Sequence, residues 1–158
     1  MKVFLESFGV NIDKCDVRKA SCMTEDLKVA FSNCLPKQCY QNITNFMLAN
    51  QSRYPSARYA LGFHLYSLIP IEHAFLEIDG IFYDPTMEKH ANIDSDLISV
   101  IYFSHEDLRK FVRLYRIPPN FDVAIYAEQY HTEAYNLDIK KKFIDNLQMA
   151  KDMTNTQP

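Results

Sequence analysis

The dipeptide Asp79-Gly80 restricts the fold of this chain more than any other feature of its sequence. It interrupts the segment Ile71–Thr86, in which apolar and polar residues alternate on both sides of it. Asp-Gly between two alternating runs is a strong signal for a two-residue β-hairpin turn. The sequence therefore predicts two short antiparallel strands joined at this turn.

The predicted hairpin places a histidine close to a carboxylate. With Asp79 and Gly80 at the centre of the turn, the predicted cross-strand pairs are Ile78 with Ile81, Phe75 with Asp84, and His73 with Thr86. His73 and Asp84 are then diagonal neighbours on one face, about 7–8 Å apart at the backbone. A carboxylate at this position could orient the imidazole, which would leave the second ring nitrogen free to take a proton from a nucleophile.

Cys39 is the candidate nucleophile. A helix is predicted from about Pro36 to Asn50, so that Cys39 falls in its first turn, where unpaired backbone amides favour a thiolate. Its apolar face is predicted to carry Cys39, Ile43, Phe46 and Met47, with Gln41, Asn45 and Gln51 turned away. The competing interpretation is that Cys39 is a small buried apolar residue, as most free cysteines are.

Other elements follow from periodicity and capping residues. Residues 1–11 are predicted as a strand or irregular arm, and a helix capped by Thr24 should end near Asn33. Strands are expected in residues 56–66, where His64 should be partly exposed, and in residues 97–103. Ser104 should cap the next helix, and a last helix should cover residues 137–152. These elements predict one α+β domain, residues 1–158: a small antiparallel sheet packed on the Cys39 helix, with two C-terminal helices.

Composition argues against several kinds of site. The net charge of −3 gives no support for nucleic-acid binding, without excluding it, and no run approaches the roughly 18 apolar residues that a membrane span needs. The three glycines form no phosphate-binding or dinucleotide-binding loop, so no cofactor is expected. Without an apolar signal segment, the four cysteines predict reduced thiols in a cytoplasmic protein. Cys15, Cys22 and Cys34 are interpreted as structural or incidental. A metal site built from Cys34, Cys39, His64 and His73 does not fit zinc-ligand spacing.

The order of these motifs resembles the transglutaminase-like, papain-related cysteine hydrolases. The resemblance consists of Cys39 at a helix start, the strand 58–62 ending in glycine, His73-Ala-Phe-Leu-Glu, and Asp84-Pro-Thr. It covers about residues 36–87. Phe75 stands where the family usually has tryptophan, and the hairpin loop is shorter than in large transglutaminases. The chain would therefore be a minimal member, similar in build to small bacterial proteases that resemble lasso-peptide leader-cleaving enzymes.

This resemblance implies a Cys39–His73–Asp84 triad acting on a protein or peptide substrate. Cys39 would attack a peptide or carboxamide carbonyl, with Gln38, Asn33 or Asn42 as candidates for a second oxyanion donor beside the Cys39 amide. Hydrolysis is favoured over amine transfer because a chain of 158 residues leaves little surface for a second substrate. The alternatives are a non-catalytic binding module on the same fold, and a transglutaminase or acyltransferase with an amine acceptor.

Overall fold

The computed structural model describes residue 13 and residues 15–66, 69–91 and 96–121. Within these ranges the chain forms a five-stranded antiparallel sheet and four α-helices, which confirms the predicted α+β class. The strands are β1 (Asp16–Lys19), β2 (Arg58–Tyr66), β3 (Ile69–Ile78), β4 (Ile81–Tyr83) and β5 (Asp96–Phe103). The helices are α1 (Glu25–Ala30), α2 (Cys39–Ala49), α3 (Pro85–His90) and α4 (His105–Tyr115).

The strands lie in the order β1-β5-β2-β3-β4, with every neighbouring pair antiparallel. The strand predicted around residues 58–66 and the buried strand predicted at 97–103 are both present, as β2 and β5. Strand β1 was not predicted, because its four residues are all exposed and form no apolar run. It adds an outer strand beside β5.

The β3–β4 hairpin turns at Asp79 and Gly80, as predicted. Both residues have positive φ values of 52° and 81°, the conformation that a tight primed hairpin turn requires, and Ile78 pairs with Ile81. The predicted pairs Phe75–Asp84 and His73–Thr86 are wrong. Strand β4 ends at Tyr83, because Asp84 caps helix α3 and Pro85 begins it.

Helix α2 begins at Cys39, and the predicted start at Pro36 is wrong. Residues 36 and 37 form a turn in which Lys37 has a φ of 61°, outside the helical region. The predicted apolar face is confirmed, since Cys39, Ile43, Phe46 and Met47 are all buried. Cys39 is therefore the first residue of the helix.

The main core lies between α2 and one face of the sheet. Its members include Ile43, Phe46 and Met47 from the helix and Leu61 and Leu76 from the sheet. At the far end of α2, the ring of Phe31 stacks on Phe46 with centroids 4.5 Å apart. This packing fixes α2 across the middle strands.

Gly62 lies where the pairing of β2 with β5 becomes irregular. The register shifts between Leu61 and Gly62, and a Cβ atom added at Gly62 would lie 1.8 Å from the backbone oxygen of Ile98. No side chain fits at that distance, so the close approach of the two strands requires glycine.

The remaining predictions concern the helix caps and the elements near the two ends of the chain. The Thr24 cap is confirmed, although α1 ends at Ala30 rather than near Asn33, and Ser104 caps α4 as predicted. The predicted arm at residues 1–11 and the predicted helix at 137–152 lie outside the described residues. In the described part of the chain, no helix combines the length and apolar character needed to cross a membrane.

Candidate active site

The three residues predicted as a triad lie close together near the middle of β3. Cys39 is the first residue of α2, His73 lies on β3, and Asp84 directly follows β4. All three are buried, with exposed fractions of 8%, 6% and 2%. The fold therefore brings a thiol, an imidazole and a carboxylate into one buried cluster.

Asp84 uses its two carboxylate oxygens differently. Oδ2 lies 2.9 Å from His73 Nε2, at a poor angle for a well-formed hydrogen bond, while Oδ1 accepts the backbone N–H of Met87 at 3.1 Å. Long or poorly aligned contacts of this kind are common in substrate-free active sites. The N-cap bond orients the carboxylate, so the helix that Asp84 caps also directs it toward His73.

The Cys39 thiol contacts the other side of the His73 ring. The two side chains are close enough for each to shift the pKa of the other, and the backbone N–H groups of Ala74 and Tyr40 also lower the pKa of the Cys39 thiol. Because His73 Nε2 faces Asp84, Nδ1 is the ring nitrogen that remains for the thiol. The imidazole is thus held between an acid and a potential nucleophile.

Electrostatics favour an ionised pair. Burial is the largest influence on the Cys39 pKa and opposes ionisation. The hydrogen bond and charge of His73, together with the Ala74 and Tyr40 amides, outweigh it and lower that pKa below 9.0. Burial likewise opposes the imidazolium, yet Asp84 and Cys39 raise the pKa of His73 to about 10. The two shifts together favour a thiolate beside an imidazolium.

The other described cysteines differ from Cys39. Burial, followed by the charge of Asp16, raises the pKa of Cys15 to about 11, and burial is also the main cause of the raised pKa of Cys34. Cys22 is exposed, and none of the four cysteines forms a disulfide in the part of the chain that the structure describes. In contrast to Cys15 and Cys34, Cys39 has a lowered pKa.

His64 is not the partly exposed strand histidine that its position predicts, because only 2% of it is exposed. Gly62 pairs with His73 across β2 and β3, so His64 lies diagonally beside His73, with ring centroids 5.8 Å apart. Burial and then the charge of His73 lower the pKa of His64. A neutral ring therefore flanks the imidazolium.

Two further features of the site were missed from the sequence. One is helix α3, although Asp84 followed by Pro85 is a recognisable cap and first-turn pair. The other is the set of hydrogen bonds that joins Asn42 to Thr86. Asn42 donates its two amide hydrogens to the Leu35 carbonyl and to Thr86 Oγ1, so no amide hydrogen remains to bind an oxyanion. The remaining candidate donors, Gln38 and Asn33, are exposed.

No group of three or more metal-ligating side chains is arranged around a common point within the described ranges. Comparisons of the chain with protein-family models, curated proteins and solved structures give no match.

Proposed function

We propose that this protein is a cysteine-dependent acyl-transfer enzyme that hydrolyses a peptide or carboxamide bond, on a core of the transglutaminase-like, papain-related type. The observation that carries the proposal is the buried contact chain from Cys39 through His73 to Asp84. A nucleophile at a helix start, a base against it and an acid behind the base form the arrangement that activates a thiol.

The reaction begins with attack of the Cys39 thiolate on the substrate carbonyl carbon. The carbonyl electrons move to oxygen, where the Cys39 backbone N–H is placed to stabilise them. When the tetrahedral intermediate collapses, the carbon–nitrogen bond breaks and the His73 imidazolium gives its proton to the departing amine. Asp84 holds the imidazole in position throughout, and the product is a thioester on Cys39.

Water completes the cycle. Neutral His73 takes a proton from water as its oxygen attacks the thioester carbonyl, and the carbon–sulfur bond then breaks to regenerate the Cys39 thiolate beside an imidazolium. The acid product leaves. An amine in place of water would give transfer instead of hydrolysis by the same steps.

Alkylation by iodoacetamide tests the activated thiolate. Peptide mass mapping after short exposure at pH 6 should show Cys39 modified ahead of exposed Cys22 and buried Cys34, which serve as controls within the chain. The His73→Gln variant should lose this preference. Equal labelling of Cys39 and Cys22 in the wild-type protein would overturn the proposal and favour a non-catalytic binding module.

Turnover is tested with a mixed peptide library, with and without a primary amine such as cadaverine. New peptide termini or a 1 Da mass gain at carboxamides would support hydrolysis, and amine-sized mass gains would show transfer. The Cys39→Ala protein provides the blank. If the library yields neither product in excess of that blank, the enzyme assignment fails for peptide substrates.

A further inference from the structure

We infer that Asn42 and Thr86 are positioning residues that fix the start of α2 against the start of α3, and so set Cys39 in place relative to His73 and Asp84. This inference rests on the proposed function. Neither residue takes part in the steps above; their role is to hold the segments that carry the reacting atoms.

Asn42 joins both sides of the helix start. Its Oδ1 accepts the backbone N–H of Leu35 at 3.0 Å, and its Nδ2 donates to the Leu35 carbonyl at 2.8 Å. Leu35 lies four residues before Cys39 and Asn42 lies three residues after it. The Asn42 side chain therefore bridges the two ends of residues 35–42. This segment contains Cys39 and the turn in which Lys37 adopts a positive φ.

The second hydrogen on Asn42 Nδ2 extends this connection to α3. It is donated to Thr86 Oγ1 at 3.0 Å, across 44 residues of sequence, and both side chains are buried. Thr86 is the second residue of α3, whose cap is Asp84. The bond thus ties the nucleophile's helix to the helix that orients the acid.

The C-terminal end of α3 contacts the backbone of the segment that precedes α2. His90 Nε2 lies 2.9 Å from the Cys34 carbonyl oxygen, and Lys89 Nζ donates to the carbonyls of Phe31, at 3.3 Å, and Ser32. These contacts hold the C-terminal half of α3. The Asn42–Thr86 bond then sets the position of the N-terminal half of α3 relative to α2. A buried amide hydrogen without its acceptor is unfavourable, so the alignment that keeps the Asn42–Thr86 bond is preferred.

Thr86→Val tests the inference, because valine keeps the shape of threonine and removes the acceptor. Thr86→Ser keeps the hydroxyl and serves as the rescue variant. His105→Phe is the matched control: it removes an imidazole at the opposite end of the α2 region, whose ring nitrogens lie 2.9 and 2.8 Å from the carbonyl oxygens of Met47 and Tyr54. Each protein is measured for urea stability and for the pH profile of Cys39 alkylation.

We expect Thr86→Val to raise the pH at which Cys39 alkylation half-saturates by about one unit, which lowers its rate near pH 6 about tenfold. Thr86→Ser should restore the wild-type profile, and His105→Phe should leave it unchanged even if it is equally destabilised. The inference is overturned if folded Thr86→Val keeps the wild-type profile, or if His105→Phe shifts it as far. Absence of preferential Cys39 alkylation in the wild-type protein would instead refute the proposed function.

Discussion

His73 and His105 are equally buried, each with 6% of its surface exposed, yet their surroundings differ in kind. Both ring nitrogens of His105 face backbone carbonyls, those of Met47 at 2.9 Å and Tyr54 at 2.8 Å. The ring nitrogens of His73 face the ionisable side chains of Asp84 and Cys39. Burial therefore does not distinguish the two histidines, whereas the chemistry of their partners does.

The difference assigns separate roles. Carbonyl partners cannot exchange protons, so His105 serves to join α4, the end of α2 and the segment after it. A carboxylate and a thiol can both change charge, so His73 can move a proton between states that the site stabilises. The predictions below test this contrast, from the largest expected effect on the site to the smallest.

Replacing either member of the Cys39–His73 pair should abolish turnover. Cys39→Ala removes the attacking atom and His73→Ala removes the base, and in a well-studied triad such losses reach about 10⁶-fold. Library turnover and circular dichroism measure the two consequences, and both variants should keep the native fold. His105→Ala is the control and should retain turnover. Activity retained by folded His73→Ala would remove the contrast between the two histidines.

Asp84→Asn should lower kcat at least about tenfold, equivalent to about 1.4 kcal/mol of transition-state stabilisation. The asparagine amide can still cap α3 through its oxygen, so the melting temperature should change little. The neutral amide cannot balance a positive charge on His73, so the rate should fall. Asp84→Ala should lose the cap as well and melt earlier. A stability loss in both variants without a rate loss would reduce Asp84 to a capping residue.

The pH dependence of Cys39 alkylation should follow its lowered pKa. The thiolate is the reactive form, so labelling should persist below pH 9.0 and decline only as the pH falls through the lowered value. Burial raises the Cys39 pKa, and His73 is the main group that lowers it again. The His73→Gln substitution removes this lowering, so the inflection of the alkylation profile should move to higher pH. Rate profiles from pH 5 to 10 measure both curves. Identical inflections in the two proteins would show that His73 does not activate the thiol.

His105→Phe should have the smallest effect on the site. It removes the imidazole that contacts the carbonyls of Met47 and Tyr54 and should reduce the free energy of unfolding by about 1–3 kcal/mol in urea titrations. Library turnover per folded molecule should stay at the wild-type level. A turnover loss comparable to that of Asp84→Asn would mean that the far end of α2 also governs the chemistry.

The parts of the fold that sequence reasoning predicted are those encoded locally. The Asp79-Gly80 turn, the Thr24 and Ser104 caps and the buried face of α2 each depend on residues within a few positions of one another. The His73–Asp84 contact belongs to this group, because a single hairpin connects the two residues. The pairing scheme failed only beyond Tyr83, where capping by Asp84 prevailed over strand continuation.

Two of the missed features, the burial of His64 and the Asn42–Thr86 bond, depend on contacts between distant segments. The burial of His64 arises from the tertiary structure, which its own strand pattern does not encode. The bond from Asn42 to Thr86 spans 44 residues, and nothing in the local pattern around either residue indicates it. The start of α2 was placed too early because Pro36 suits a first helical turn, whereas the chain reverses at Lys37 before the helix begins.

The close approach of β2 and β5 at Gly62 bears on how mutational tolerance should be interpreted in this protein. Gly62 is the direct cross-strand partner of His73, and any Cβ at this position would meet the Ile98 backbone oxygen at 1.8 Å. In a saturation scan scored by activity, every substitution of Gly62 should rank with those of Cys39. A parallel scan for folded protein would separate them, because Cys39→Ala should remain abundant while Gly62→Ala is depleted. Intolerance at Gly62 therefore marks a limit on backbone spacing beside the site rather than a chemical role in it.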